Sequence, residues 1–203
     1  MSHTDSIARL RVELNDTMPV IWRIVEVPLT MSLSGLHEVV QAAMPFENCH
    51  LYEFRIGGRR YALPDPDFPD PEVYSPKVAK LGAALEGDVR RFTYIYDFGD
   101  NWQHTITVEA LSPADPALHY PRFVDGGRRA PPEDVGGTMG FEEFLNVLSK
   151  PRHRERKAML EWCGGSFDPD TIPIDIIVER VEKLARSRRT RKAASRKSRG
   201  LEQ

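Results

Sequence analysis

Ionisable and aromatic side chains are concentrated in one short segment, YDFGDNWQH, which runs from Tyr96 to His104. A histidine held by a carboxylate can act as a general base or as a metal ligand. Asp97 and Asp100 lie just before His104, across a turn, and either one is a candidate partner for its imidazole. The alternative is structural: a core histidine bridges a hairpin to a carboxylate, and the aspartates accept hydrogen bonds from N–H groups of the turn.

A second group of acids lies in a loop rich in glycine and proline, DGGRRAPPEDVGGTMG, at residues 125–140. Glu133 and Asp134 in this loop, together with Asp97, offer the hard oxygen ligands that divalent metals prefer. Such a loop before a helix can also bind phosphate through free N–H groups, but these acids repel an anion and no P-loop lysine follows. Alternatively, the glycines and prolines only fold a long loop back over a sheet.

If the two segments do not meet in space, they are two unrelated turns; if they meet, they form a single candidate site. Its candidate catalytic residues are Asp97, Asp100, His104, Glu133 and Asp134. Its candidate ligands for a divalent metal are Asp97, His104, Glu133 and Asp134. Three further residues are candidates for contact with a binding partner, namely Trp102, Arg128 and Asp168.

Two strands are expected to position the first segment. RRFTYIYDF and WQHTITVEA both alternate with a period of two, and the DFGDN between them favours a turn because Gly99 and Asn101 tolerate positive φ. In the second strand, His104 shares a face with Trp102 and Ile106. We therefore expect His104 on the covered face of the sheet.

The rest of the body mixes strand and helix patterns. Period-two alternation predicts strands at residues 8–14 and 20–27, and HLYEFRIGGRRYAL predicts a hairpin around two glycines. Helical periodicity is found at residues 36–44, from about 141, before 164 and from 174. Because the connections are too short for parallel crossovers, we expect a single α+β domain at residues 1–185, with a mostly antiparallel sheet backed by helices and C-terminal helices.

Composition narrows the class of protein. A chain of 203 residues, 40% of them hydrophobic, suits one substantial core. Cys49 and Cys163, its two cysteines, can build neither a disulfide framework nor a four-thiolate zinc site. No run of eighteen apolar residues appears, and the N-terminus lacks the pattern of a secretory signal, so we expect a cytoplasmic protein with no membrane partner.

The C-terminal residues 186–203 are strongly basic. They hold eight Lys or Arg and one acid, whereas the rest of the chain holds twenty basic and twenty-nine acidic residues. The basic residues are Arg186, Arg188, Arg189, Arg191, Lys192, Arg196, Lys197 and Arg199. With no bulky apolar residue among these charges, we expect a disordered tail that contacts nucleic acid in a salt-sensitive way. It could instead aid solubility or contact the acidic body.

Three ordered motifs, YIYDFGDNWQHTITVE, GGRRAPPEDVGGTMGFEEFL and WCGGSFDPDTIPIDIIVERV, resemble the plasmid pRiA4b ORF-3-like family, whose members are also described as transposon-passenger, resolvase-like proteins. The resemblance runs from about Ile7 to about Val181. The residues that match its motifs are Asp97, Phe98, Gly99, Asp100, Trp102 and His104, then Pro131, Pro132, Glu133, Asp134, Gly136 and Gly137, and finally Trp162, Phe167, Asp168 and Pro169. The resemblance implies an α+β domain with a helix-backed antiparallel sheet.

Resolvase chemistry does not fit the sequence. A serine recombinase needs a nucleophilic serine with arginines gathered around the scissile phosphate. Ser6 precedes a strand, and Arg9 and Arg11 lie within one. The sequence favours a non-catalytic binding module linked to mobile or plasmid DNA, with the tail on nucleic acid and the body on a protein partner. The alternative is a metal-assisted or acid/base hydrolase that uses the two acidic segments.

Overall fold

Eight strands pair into one sheet, as the alternating sequence patterns predict. The structure is a computed structural model that describes residues 6–64, 67 and 69–199, with the backbone alone for residues 191–199. The strands are β1 (Ser6–Leu14), β2 (Ile21–Pro28), β3 (Tyr52–Ile56), β4 (Arg59–Ala62), β5 (Val73–Tyr74), β6 (Arg91–Tyr96), β7 (Trp102–Pro113) and β8 (Arg122–Gly127). The helices are α1 (Leu33–Ala43), α2 (Leu81–Ala84), α3 (Gly137–Ser149), α4 (Arg156–Trp162) and α5 (Ile174–Arg199). Of the helices in these ranges, none has the length and apolar character needed to cross a bilayer.

The strand order across the sheet is β5-β4-β3-β6-β7-β1-β2-β8. Neighbouring strands run antiparallel, except that β4 and β5 run parallel at one edge. β1 pairs with β2 on one side and with β7 on the other. The expected α+β architecture, a mostly antiparallel sheet backed by helices, is confirmed.

The predicted hairpin around two glycines joins β3 to β4. Ile56 pairs with Arg59, so Gly57 and Gly58 form a two-residue turn. Their φ angles are 56° and 76°, the left-handed conformation that this type of hairpin turn requires at both positions.

One large core joins the sheet to the helices. Phe54, Tyr94 and Trp102 are fully buried on the sheet, and α1 contributes Leu36 and Val40, which are also fully buried. Ser32 is the N-cap of α1, because its hydroxyl accepts a hydrogen bond from the N–H of Gly35. This core holds the ends of β6 and β7 in place, and the turn between these two strands projects from there.

The last helix, α5, packs against α1 and β8 and buries Ile177, Val181 and Ala185. The sequence predicts disorder from residue 186, but the backbone continues as helix through Arg199. Alanine, arginine and lysine are strong helix formers, and the packed first half of α5 removes the cost of starting a new helix. Residues 200–203 of the predicted tail lie outside the described residues.

Candidate functional site

The two acidic segments meet, and a third segment lies between them. Residues 45–51 join α1 to β3 and carry His50. The Nε2 atom of His50 lies 2.9 Å from Oδ1 of Asp134, and it lies 3.7 Å from Oδ2 of Asp97 and from Oε1 of Glu133. One imidazole therefore faces three carboxylates. We call these four residues the His50 cluster.

The segment that carries His50 is held in place by hydrogen bonds to two buried side chains. The N–H of Cys49 donates to the hydroxyl of Tyr96, at 3.1 Å. The N–H of Asn48 donates to Oε1 of Gln41, at 3.0 Å. Tyr96 and Gln41 are both buried, on β6 and α1 respectively, so the irregular segment takes its shape from the packed elements.

Asp97 occupies the start of the β6–β7 turn in a left-handed conformation, with φ of 53°. Its Oδ1 atom accepts a hydrogen bond of 2.9 Å from the N–H of Gly99, which is the turn-stabilising role expected of an aspartate here. Its Oδ2 atom is the one that faces His50. One side chain thus holds the turn with one oxygen and presents the other to the cluster.

Glu133 is the most enclosed acid of the cluster, with 8% of its side chain exposed. Its Oε2 atom accepts a hydrogen bond of 2.7 Å from the N–H of Glu47. Its Oε1 atom is buried and has no partner at normal hydrogen-bond geometry among the described residues. The Tyr96 hydroxyl is an alternative donor, because its contact with the Glu133 carboxylate contributes to the raised pKa of Tyr96. A buried carboxylate oxygen without a partner costs free energy, which a bound cation would recover.

Asp100 joins the two acidic segments instead of entering the cluster. Its Oδ2 atom accepts a hydrogen bond of 3.1 Å from the N–H of Gly136. Its carbonyl oxygen lies so close to Gly137 that a Cβ there would come within 2.6 Å of it. The DFGDN turn (residues 97–101) and the loop that contains PPED (residues 131–134) are therefore in direct contact. Asp100 is a positioning residue, because it holds the two together.

The acids create a local preference for positive charge. Partial burial lowers the pKa of His50, but the charges of Asp97, Asp134 and Glu133 more than offset this effect, so the pKa lies above the ordinary histidine value. Burial, with a contribution from Glu133, raises the pKa of Tyr96 well above its ordinary value, so its hydroxyl stays protonated. The His50 cluster therefore favours a bound cation, whether a proton or a metal ion.

Two overlapping sets of donor atoms could hold a metal ion. One set is His50, Asp97 and Asp134, and the other is Cys49, His50 and Glu133. Within each set the donor atoms lie within 4.8 Å of one another. Ligands at about 2.0–2.3 Å from a common ion lie roughly 3–4 Å apart, so small side-chain movements bring either set to coordination distance. Imidazole with carboxylates suits zinc, manganese and iron(II).

His104, expected as a ligand or base beside Asp97 or Asp100, lies elsewhere. Its face was predicted correctly, because it is fully buried with Trp102. Its Nδ1 atom pairs with the carbonyl oxygen of Trp102 at 3.1 Å, and its ring packs against Tyr94. The pleat of β7 points this imidazole into the core, whereas the turn aspartates lie beyond the strand end. Burial lowers the pKa of His104 to about 4, which keeps it neutral.

The three candidates for partner contact also have structural surroundings. Trp102 is fully buried, so it offers no surface to a partner. Arg128 forms an ion pair with Asp170. Asp168 is exposed, and its carboxylate accepts hydrogen bonds from the hydroxyl of Thr171 and from the N–H of Asp170, which shapes the turn before α5.

The functional residue that sequence reasoning missed is His50. It lies in an irregular segment, so no periodicity assigns it to a face. The available signal was weak: a Cys-His pair comes directly before a strand.

Comparisons with known proteins agree over most of the chain. A family model described as "Plasmid pRiA4b ORF-3-like protein" matches residues 6–175. The "Uncharacterized protein y4hQ" of Sinorhizobium fredii (strain NBRC 101917 / NGR234) is 40% identical over 181 residues, which cover 89% of this chain and 93% of that protein. A solved structure, "Crystal Structure of Protein of Unknown Function MM3350 from Methanosarcina mazei Go1", is 34% identical with a TM-score of 0.77, and the match covers 84% of this chain and 97% of that one.

Proposed function

Given that this chain belongs to the plasmid pRiA4b ORF-3-like family, and that the matched residues 6–175 contain all four members of the His50 cluster, we propose that the domain binds a divalent metal ion at that cluster. Four side chains from three segments contribute to the site. The PPED loop and the DFGDN turn are tied together by Asp100, and core hydrogen bonds hold the segment of His50 against them.

The observation that carries this proposal is the buried Oε1 atom of Glu133, which has no hydrogen-bond partner of normal geometry among the described residues. It faces the His50 imidazole and lies near the carboxylates of Asp97 and Asp134. Like charges held this close repel one another, and removing them from water adds to the cost. A divalent cation offsets both effects, because it pairs with the buried oxygen and neutralises the cluster.

The chemistry that such a site supports is hydrolysis. A divalent ion held by these residues would supply Lewis-acid chemistry, polarising a substrate oxygen and lowering the pKa of a coordinated water. Asp134 is the most exposed carboxylate of the cluster, with 67% of its side chain accessible, so it lies on the side from which a substrate would enter. Tyr96, protonated at neutral pH, supplies a hydroxyl at the inner wall of the site.

Metal binding can be tested with chelator-treated protein titrated with Mn²⁺ and with Zn²⁺ in a calorimeter. We expect one saturable ion per chain for wild type. His50→Ala should weaken binding by roughly 100-fold or more, because second-sphere changes alone commonly cost about 10–100-fold in metal affinity. His153→Ala, which changes a histidine in the turn before α4, is the matched control and should bind as wild type does. Unsaturable binding by wild type, or equal binding by His50→Ala, would refute the proposal.

Contact with nucleic acid through the basic end of α5 is a second proposed function. The supporting observation is that the eight basic positions from Arg186 to Arg199 belong to one continuous helix. A helix that is already formed loses less conformational entropy on binding phosphates than a disordered tail does. Such binding would be independent of sequence and would fit the proposed link to mobile or plasmid DNA.

A variant with glutamine at Arg191, Lys192, Arg196, Lys197 and Arg199 removes charge while keeping good helix formers. We expect wild type to bind a fluorescent DNA duplex with an affinity that falls steeply as salt rises, and the variant to show a shallower salt dependence, since each neutralised phosphate contributes about −0.9 to the logarithmic slope. The same slope in both proteins would exclude this part of α5 from any nucleic-acid contact.

A further inference from the structure

A cleft opens beside the His50 cluster and shares two of its acids. It has a volume of about 530 Å³, and Glu133 and Asp134 form part of its wall. Trp162 and Ile176 also line it, with 52% and 49% of their areas exposed. A cleft of this size, with exposed apolar side chains beside charged ones, is large enough to hold a small organic molecule.

Two arginines line the same cleft. The guanidinium of Arg129 lies over the ring of Phe167, 4.6 Å from its centroid, and Nη1 of Arg180 donates to the carbonyl oxygen of Phe46 at 3.0 Å. Across the described part of the chain, neither arginine forms an ion pair with a carboxylate, whereas Arg9, Arg122 and Arg128 do. These contacts orient the two guanidiniums and leave N–H donors for an anion.

We propose that this cleft binds the phosphate group of an organic phosphate, which Arg129 and Arg180 hold next to the metal site. Planar guanidiniums bind phosphate through paired N–H donors, and two of them match the charge of a phosphate dianion. The exposed face of Trp162 provides a surface for the organic part. This inference rests on the proposed metal function, because it names the substrate class of that site.

Charge makes the two binding events depend on each other. Three carboxylates, those of Glu47, Glu133 and Asp134, line the cleft with the two arginines. Without a metal ion the acids repel a phosphate, and a divalent ion would offset that negative charge. Phosphate affinity should therefore rise when metal is bound, and metal affinity should rise by the same factor when phosphate is bound.

The probe is phenylphosphonate, whose C–P bond is not hydrolysed, titrated calorimetrically into the full chain with and without saturating Mn²⁺. We expect binding at least 10-fold tighter with the metal. The double variant Arg129→Gln/Arg180→Gln should lose at least 10-fold in phosphonate affinity while still binding one Mn²⁺ per chain, since neither arginine is a proposed ligand of the ion. Arg152→Gln, an exposed arginine that does not line the cleft, is the control and should match wild type.

The possible failures are distinguishable. Wild type that binds Mn²⁺ but not phenylphosphonate, or a double variant that binds phenylphosphonate unchanged, overturns the phosphate site and leaves metal binding intact. Benzoate bound as tightly as phenylphosphonate overturns the assignment to phosphate. If the wild-type chain does not bind Mn²⁺ at all, the proposed function and the inference are both overturned.

Discussion

The Oε1 atom of Glu133 lies 3.7 Å from Nε2 of His50, and that oxygen has no hydrogen-bond partner of normal geometry among the described residues. At this distance the carboxylate oxygen and the imidazole nitrogen are too far apart for a direct hydrogen bond. They are, however, close enough to bind the same ion. The contact joins two segments that are distant in sequence, residues 45–51 and the PPED loop, and the metal proposal depends on it.

Replacing Glu133 by glutamine keeps its shape and removes its charge. We expect Glu133→Gln to lose roughly 10–100-fold or more in Mn²⁺ affinity, by comparison with changes around metal sites in general. Without metal, the variant should be at least as stable as wild type, because a like charge has been removed from a crowded cluster. Calorimetric titration and urea unfolding measure the two effects.

The matched control is Glu143→Gln, an exposed glutamate on α3 whose carboxylate accepts a hydrogen bond from Asn146. It should leave Mn²⁺ affinity unchanged. Equal affinities for Glu133→Gln and wild type would show that the buried oxygen is not a ligand.

Alanine substitutions at Gly137 and at Gly58 distinguish the effect of a steric clash from that of backbone strain. Gly137 and Gly58 both have positive φ, at 68° and 76°, but a Cβ at Gly137 would meet the Asp100 carbonyl at 2.6 Å, whereas nothing lies within 4 Å of one at Gly58. Gly58→Ala should cost about 1 kcal/mol of unfolding free energy, from φ strain alone. Gly137→Ala should cost roughly 1–3 kcal/mol more, from overpacking.

Gly137→Ala should also weaken Mn²⁺ binding, because it pushes the PPED loop away from the DFGDN turn. Urea unfolding and metal titration of both variants provide the test. Equal losses of stability, with Mn²⁺ affinity retained in Gly137→Ala, would mean that the contact between the loops does not shape the site.

Two buried histidines make the fold sensitive to acid. Burial lowers the pKa of His104 and of His37 to about 4, against an ordinary value of 6.5. The unfolded chain therefore takes up protons at these positions before the folded protein does. Their contribution to stability is present above about pH 6.5 and is lost as the pH falls toward 4, by about 2 kcal/mol for each histidine between pH 7 and pH 5.

His104→Leu removes one of these two titrations. Its unfolding free energy, measured in urea at pH 7 and pH 5, should fall by about 2 kcal/mol less than that of wild type over this interval. If both proteins lose stability equally between the two pH values, His104 is not neutral in the folded state.

Arg23 is a fully buried charge that serves as a hydrogen-bond donor. Its Nε atom donates to the carbonyl oxygen of Ala43 at 2.8 Å, and its Nη1 atom donates to those of Trp22 and Gly127 at 2.7 and 2.9 Å. Burial lowers its pKa to about 10, so it remains charged at pH 7. Arg23→Met would leave these carbonyls without a donor, and we expect a loss of roughly 3 kcal/mol in unfolding free energy, measured in urea.

A charge-retaining variant tests the reason for that loss. Arg23→Lys keeps the positive charge but lacks the planar donors, so it should fall between wild type and Arg23→Met. Arg152→Met, at an exposed position, should change stability by less than about 0.5 kcal/mol. An Arg23→Met protein as stable as wild type would mean that the three hydrogen bonds contribute little.

Local patterns in the sequence predict much of the fold. Period-two alternation identifies β1, β6 and β7, and it places His104 on the buried face. The Gly57-Gly58 pair identifies a hairpin by its turn chemistry. These features are predictable because each depends on neighbouring residues and on burial on one side of a strand.

The candidate site was predicted in part. Asp97, Glu133 and Asp134 were identified as acids that could meet, and they do lie around one histidine. That histidine is His50, because the N–H groups of Asn48 and Cys49 donate hydrogen bonds to Gln41 and Tyr96 and so set the path of its segment. Such long-range contacts have no signature in the local sequence. The sequence therefore points to His104, which lies in the same short segment as Asp97.

The position of β1 between β2 and β7 has a consequence for synthesis of the chain on the ribosome. The β1–β2 hairpin can form early, but the other edge of β1 has no partner until residues 102–113 have been translated. Until then, the nascent chain exposes the unpaired N–H and C=O groups along one edge of an apolar strand, the kind of surface that recruits other chains. Translation that stops before Trp102 should therefore release fragments that aggregate or engage chaperones, whereas products that include β7 can close the centre of the sheet.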